Sequence, residues 1–180
     1  MNISLTSIAG LKIISPKVLK DPRGYFFESY NKNDFHNHDI MDEFIQDNES
    51  FSQKGVVRGL HFQNPPHAQA KLVRVIKGAV LDVAVDLRKK SLTYGHHFSI
   101  ILTEENKTML YIPIGFGHGF SVLEDQTIFS YKCSAVYNKE SERVIMWNDS
   151  LLAIDWKVSK PIISEKDSVG IPLNVFQSNF

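Results

Sequence analysis

Lys71 to Leu87 reads K-L-V-R-V-I-K-G-A-V-L-D-V-A-V-D-L. Two valine-rich runs, Lys71–Ile76 and Ala79–Leu87, flank Lys77-Gly78. Composition makes both runs strands, and a two-residue link containing glycine predicts a hairpin between them. The pattern continues downstream. Gly95–Leu102 and Lys107–Ile112 are joined through Thr103-Glu104-Glu105-Asn106, and Gly119–Leu123 and Thr127–Ser134 through Glu124-Asp125. Upstream, Tyr25–Tyr30 is a strand by composition, Asp21-Pro22-Arg23-Gly24 is turn chemistry, and residues 1–20 carry one or two edge strands. Phe44–Ser50 is a short apolar start to a polar run. No long helical period appears. One short helix fits the polar stretch Asn31–Asp39, and the tail Leu151–Phe180, with Pro161 and Pro172, reads as short helices or loops packed on a barrel. Many short strands with close turns indicate an all-β sandwich or barrel. With no repeat, linker or low-complexity segment, residues 1–180 read as a single domain.

Bulk properties narrow the function classes. The chain is 43% hydrophobic and 22% charged, ordinary for a globular protein. Twenty basic and twenty acidic residues cancel. That argues against a generally basic nucleic-acid binder but leaves room for a local anion pocket. Cys133 is the single cysteine, which excludes an intrachain disulfide framework and fits a reducing compartment. The start, M-N-I-S-L-T-S-I-A-G-L-K-I-I, has neither a basic region nor an unbroken apolar core, so it does not read as a signal peptide. No apolar run approaches the roughly 20 residues that span a bilayer. The expected location is the cytoplasm, with no membrane partner.

Just before the valine-rich runs, Gly55–Lys71 reads G-V-V-R-G-L-H-F-Q-N-P-P-H-A-Q-A-K. Arg58, His61 and Lys71 are charged or titratable side chains in an apolar framework, which suggests a polar site inside it. Arg58 and His61 have opposite parity and cannot share a face of a regular strand. Gly59 between them permits a bulge that would turn both toward one cavity. By parity Tyr131 shares an apolar face with Phe129 and Cys133, so its hydroxyl points inward, and Asp82 shares a face with Val80, Ala84 and Asp86.

Two chemistries compete for these residues. Metal-binding cupin barrels place two histidines one residue apart, then an acid and a distant histidine. After His61 come Phe62 and Gln63, and His96-His97 would face opposite ways on a strand, so no metal site is expected. Acid–base work without metal suits the set better. An imidazole takes a proton near neutral pH, a lysine holds an oxyanion, and a tyrosine returns a proton. His61, Lys71 and Tyr131 supply these functions from three strands. The same three also read as a core histidine, a snorkelling lysine and an interior tyrosine.

Five segments decide between these readings by resemblance: G-V-V-R-G-L-H-F-Q through Q-A-K-L-V-R-V, D-P-R-G-Y-F-F-E-S (Asp21–Ser29), I-P-I-G-F-G-H-G-F (Ile112–Phe120), Y-K-C-S-A-V-Y (Tyr131–Tyr137) and S-E-K-D (Ser164–Asp167). In sequence order and over nearly the whole chain, they resemble the dTDP-4-dehydrorhamnose 3,5-epimerase family. Gly117 stands where that family often has alanine, and His96-His97 match none of its motifs. The resemblance implies a cupin-type jelly roll, a homodimer, no cofactor or metal, and epimerisation at C3 and C5 of dTDP-4-dehydro-6-deoxy-D-glucose. It implies His61 as base with Asp167 as its carboxylate partner, Lys71 on the enolate oxygen, His118 lining the same pocket, and Tyr131 as acid. It places Gln46, Asp47, Asn48, Tyr137, Glu142 and Lys166 around the nucleotide and sugar. Arg23 and Arg58 suit the phosphates, since a guanidinium fork matches phosphate oxygens. Phe26 could stack on the base and Glu28 accept from its ring N–H. Arg23, Phe26 and Glu28 are implied to reach the partner subunit's site. Asp82 reads either as a carboxylate orienting Lys71 or as a strand-edge charge. Without the resemblance, Asp167 reads as an exposed loop carboxylate, Gln46–Asn48 as turn formers, Tyr137 as a core or rim residue, and Glu142 and Lys166 as solvated charges. Rival functions are a C3-only epimerase of a related 4-keto sugar nucleotide, a non-catalytic sugar-binding cupin, and a metal-dependent cupin oxygenase.

Overall fold

The computed structural model describes residues 1–180. Strands β1 (Asn2–Leu5), β2 (Lys12–Ser15), β3 (Leu19–Asp21) and β4 (Gly24–Phe26) precede helix α1 (Lys32–His36). Then come β5 (Gln46–Ser52), β6 (Val57–Gln63), β7 (Lys71–Lys77), β8 (Ala79–Asp86) and β9 (His97–Thr103). Strands β10 (Met109–Ile112), β11 (Phe116–Val122), β12 (Thr127–Cys133) and β13 (Glu142–Val144), with helix α2 (Glu165–Ser168), complete the chain. One sheet has the order β1-β2-β10-β7-β12-β5 and the other β13-β6-β11-β8-β9, while β3 and β4 form a separate two-stranded arm. No helix is long and apolar enough to cross a membrane.

The two large sheets close on each other as a jelly roll. Val73, Val75, Leu110, Ile112 and Phe129 from one sheet meet Val80, Ala84, Leu102, Phe116, Phe120 and Val122 from the other in a single buried cluster. Alternate residues on the far sides make two further cores. Leu81, Val83 and Val85 of β8 face outward against Leu152 and Trp156 of the tail, so all eight residues of β8 are buried. Leu72, Met109 and Tyr111 face the other way, under Phe35 of α1 and Ile40. Both helices are capped by side chains: Asn31 accepts from the amides of Asn33 and Asp34, and Ser164 from that of Asp167. In the tail only α2 is helical. Pro161 and Pro172 lack the amide a helix needs and keep the rest in turns.

The strands predicted from composition are present, but Lys77-Gly78 makes no hairpin. β7 and β8 lie in opposite sheets, so the link carries the chain across the sandwich. The links β9–β10 and β11–β12 cross in the same way. The reason is burial. A hairpin would leave the apolar inward faces of β7 and β8 side by side in one layer with no partner layer, whereas crossing sets them face to face. Gly78 makes this turn at φ +80, where a Cβ would lie 2.3 Å from Thr127 Oγ1. The Tyr25–Tyr30 strand is also shorter than predicted, ending at Phe26.

Candidate active site

The inward faces of the two sheets open into a cavity of about 430 Å³. Arg58, His61, Lys71, His118 and Tyr131 line it, with Gln46, Asn48, Tyr137, Glu142 and Lys166 toward its rim. A bulge brings Arg58 and His61 together, as the glycine between them allows. His118 pairs with His61 and Phe120 with Arg58, so β6 carries one extra residue against β11. Gly59 takes φ +131 there, and a Cβ on it would sit 2.5 Å from Gly119 Cα. Two glycines therefore make the crossing close enough for both side chains to reach the cavity.

His61 Nε2 lies 2.5 Å from Asp167 Oδ1. Asp167 is buried, held over the β6 bulge by the capped turn of α2 rather than exposed on a loop. Burial alone would raise its pKa, but hydrogen bonds from His61, Ser164 and the Gly59 amide, with the His61 charge, hold it below the usual carboxylate value. An ionised carboxylate only accepts, so Nε2 of His61 donates, and whenever the ring is neutral the lone pair lies on Nδ1. On the neighbouring strand His118 Nε2 lies 2.9 Å from Asp82 Oδ2. Asp82 is wholly buried in an interior strand, which removes the strand-edge reading. It holds His118 and makes no hydrogen bond to Lys71. Burial pushes the His118 pKa down against the opposing pull of Asp82, which favours the neutral ring.

Lys71 is 8% exposed and has only the His61 carbonyl, at 3.4 Å, as a hydrogen-bond acceptor. Burial lowers its pKa. Its ammonium lies 6.0 Å from the centre of the Tyr131 ring. Burial raises the Tyr131 pKa, so the phenol keeps its proton at neutral pH. His61 and His118 rise from the five-stranded sheet; Lys71 and Tyr131 rise from the six-stranded one. A flat ring held between the sheets would meet His61 on one face and Tyr131 on the other.

The rim is a linked set of polar groups. Gln46–Ser52 is a strand rather than a turn, with Gln46 and Asn48 directed inward. The Tyr137 amide donates to Gln46 Oε1 at 2.8 Å, Gln46 Nε2 to Asn48 Oδ1 at 3.0 Å, and Asn48 Nδ2 to Cys133 Sγ at 3.6 Å. Opposite, Glu142 accepts from the Tyr137 hydroxyl at 3.0 Å and pairs with Lys166. Asp47 alternates to the outer surface, where it pairs with Lys132 at 2.8 Å, so it lies outside the cavity. Arg23, Phe26 and Glu28 also lie outside it. They belong to the arm and the segment after it, with Phe26 66% exposed and Arg23 bridged to Asp21. Lys107 pins this arm by donating to the Tyr25 hydroxyl at 3.0 Å, and Arg74 sits 5.7 Å from the centre of Phe27. Ser50, Gln63, Gln69 and Cys133 also line the cavity, although the sequence marked none of them as a site residue. Alternation from Gln46 through Asn48 is the signal that finds Ser50. No three His, Cys, Asp or Glu side chains converge as a metal cluster.

Comparison with known proteins points one way. The family model described as dTDP-4-dehydrorhamnose 3,5-epimerase matches residues 5–174. The dTDP-4-dehydrorhamnose 3,5-epimerase of Shigella flexneri is 48% identical over 171 residues, covering 94% of each chain. The crystal structure of the Legionella pneumophila Philadelphia 1 dTDP-6-deoxy-D-glucose-3,5-epimerase, in complex with dTDP-4-keto-L-rhamnose, superposes with a TM-score of 0.94 at 47% identity, covering 98% of this chain and 94% of that one. A 3'-monoepimerase from Streptomyces bikiniensis, in complex with dTDP-quinovose, gives a TM-score of 0.87 at 29% identity over 94% of this chain and 86% of its own.

Proposed function

The chain belongs to the dTDP-4-dehydrorhamnose 3,5-epimerase family, and on that premise we infer that it inverts C3 and C5 of dTDP-4-dehydro-6-deoxy-D-glucose to give dTDP-4-dehydro-L-rhamnose. It is an isomerase, and the chemistry is proton transfer. The C4 ketone acidifies the hydrogens on C3 and C5. His61 Nδ1 takes one of them, and Asp167 stabilises the imidazolium that results. The electron pair moves to the C4 oxygen as an enolate. Lys71 donates to that oxygen, because a neutral His118 whose N–H is given to Asp82 has no proton to offer it. A well-placed oxyanion donor is worth roughly 3 kcal/mol of barrier. Tyr131 then returns a proton to the carbon from the other face. Each inversion leaves His61 protonated and Tyr131 ionised, so both exchange with solvent before the second.

The arrangement of His61 and Tyr131 on opposing sheets carries this reading. Arg58 binds the diphosphate; Gln46, Asn48, Tyr137, Glu142 and Lys166 hold the nucleotide and sugar at the rim. Arg23, Phe26 and Glu28 complete the site of a second copy in a homodimer. Their exposure on an arm pinned away from the cavity of their own chain supports that assignment. Residues 1–180 act as one domain, and a single, buried cysteine, Cys133, suits the cytoplasm. Turnover in heavy water tests the function. Deuterium at both C3 and C5 of the product is expected, and label confined to C3 would overturn double inversion.

A further inference from the structure

Ser50 lies on the inward face of β5, two residues beyond Asn48. Its side chain lines the cavity, and its Oγ is enclosed without any hydrogen-bond partner. An enclosed hydroxyl with nothing to bond is destabilising, and such a group in a cavity wall is suited to a ligand. Next along the same face, Ser52 Oγ accepts from Arg58 Nε at 3.3 Å and from Nη2 at 3.1 Å. This occupies one edge of the guanidinium and fixes its plane. Nη1 is left unengaged, and no carboxylate pairs with the charge. The wall therefore presents a fixed cation and, one step along the strand, a hydroxyl able to donate. Two donors of this kind on one face match an oxyanion with more than one acceptor oxygen.

We propose that Ser50 is a specificity-determining residue that donates its hydroxyl proton to the diphosphate held by Arg58, so that β5 selects a nucleoside diphosphate over the bare nucleoside. This rests on the reading of the cavity as a dTDP-sugar site. Ser52 is a positioning residue in the same device, because it orients Arg58.

The test compares inhibition of the epimerase by TDP and by thymidine in the wild type, Ser50→Ala and Ser50→Thr. Losing a hydrogen bond to a charged group corresponds to roughly 10- to 100-fold in affinity. Ser50→Ala should weaken TDP by about that factor, leave thymidine unchanged, and raise KM by more than it lowers kcat. Ser50→Thr, which keeps the hydroxyl, should restore TDP inhibition. Unchanged TDP inhibition in Ser50→Ala, or equal losses for TDP and thymidine, overturns the proposal. Failure of the nucleotide-site reading looks different: Arg58→Ala would then keep full TDP inhibition.

Discussion

In the proposed mechanism His61 and Tyr131 divide one proton transfer between two sheets, so each can be removed separately. His61→Asn should stop deuterium exchange at both C3 and C5 by roughly 10²-fold or more, while TDP still inhibits any residual turnover or binds by calorimetry. Near-normal exchange would take the base assignment away from His61. Tyr131→Phe removes one hydroxyl and leaves the base intact. Product formation should fall by roughly 10²-fold or more, yet NMR in heavy water should still show washout at the acidified carbons with configuration retained. Epimerisation at the wild-type rate would remove Tyr131 from the mechanism. Much of this site could be read from the chain, because His61, Lys71 and Tyr131 are polar intrusions into apolar strands. Asp167 could not, since 106 residues separate it from His61 and only the resemblance joined them. Asp47 shows the limit of reading neighbours as a group: Gln46, Asp47 and Asn48 are adjacent in the chain, but strand alternation sends the middle one outward to Lys132.

Single elements also decide what reaches the cavity. The β6 bulge depends on Gly59 and Gly119 touching, and a Cβ on Gly119 would lie 2.6 Å from the Arg58 carbonyl. Gly59→Ala should destabilise by about 1–3 kcal/mol through backbone strain and separate Arg58 from His61. Urea unfolding and TDP inhibition measured together check this, and a stable variant with wild-type activity would count against the bulge as the positioning device. The β8–β9 connection turns on Asp86, which is fully buried and accepts from Arg88 Nε at 2.8 Å, Arg88 Nη2 at 2.7 Å, Ser91 Oγ at 2.6 Å and Thr93 Oγ1 at 2.7 Å. Burial alone would raise its pKa, but these bonds hold it at about 2, below the ordinary 3.8. The resulting stabilisation, about 2 kcal/mol, is complete above the ordinary value and disappears as pH falls through the folded one. Urea midpoints for the wild type should therefore drop between about pH 5 and pH 2, and Asp86→Asn should flatten that part of the profile while lowering stability at neutral pH. Strand β5 shows why sequence patterning missed an element. Its inward residues Gln46, Asn48 and Ser50 are polar because they face a cavity, so no apolar alternation marks Gln46–Ser52 as a strand.

At the scale of the whole molecule, the proposed dimer shares its sites. Mixing His61→Asn with Arg23→Ala subunits should recover activity, because half of the heterodimer's sites would be intact. No recovery after proven subunit exchange would argue for self-contained protomers. The class of fold followed from strand density and close turns, but strand pairing did not, since Lys77-Gly78 carries the same local chemistry whether it returns a strand or crosses the sandwich. That crossing has a kinetic consequence. β5 and β7 both pair with β12, so that Gln46 and Lys71 each sit opposite Cys133. A ribosome must therefore extend the chain past Cys133 before either strand meets that neighbour. Contacts so distant in sequence make folding slow, on the order of milliseconds to seconds. Until then the edges of β5 and β7 that β12 will cover are open to other chains, which makes the half-synthesised protein more prone to aggregation than the finished one.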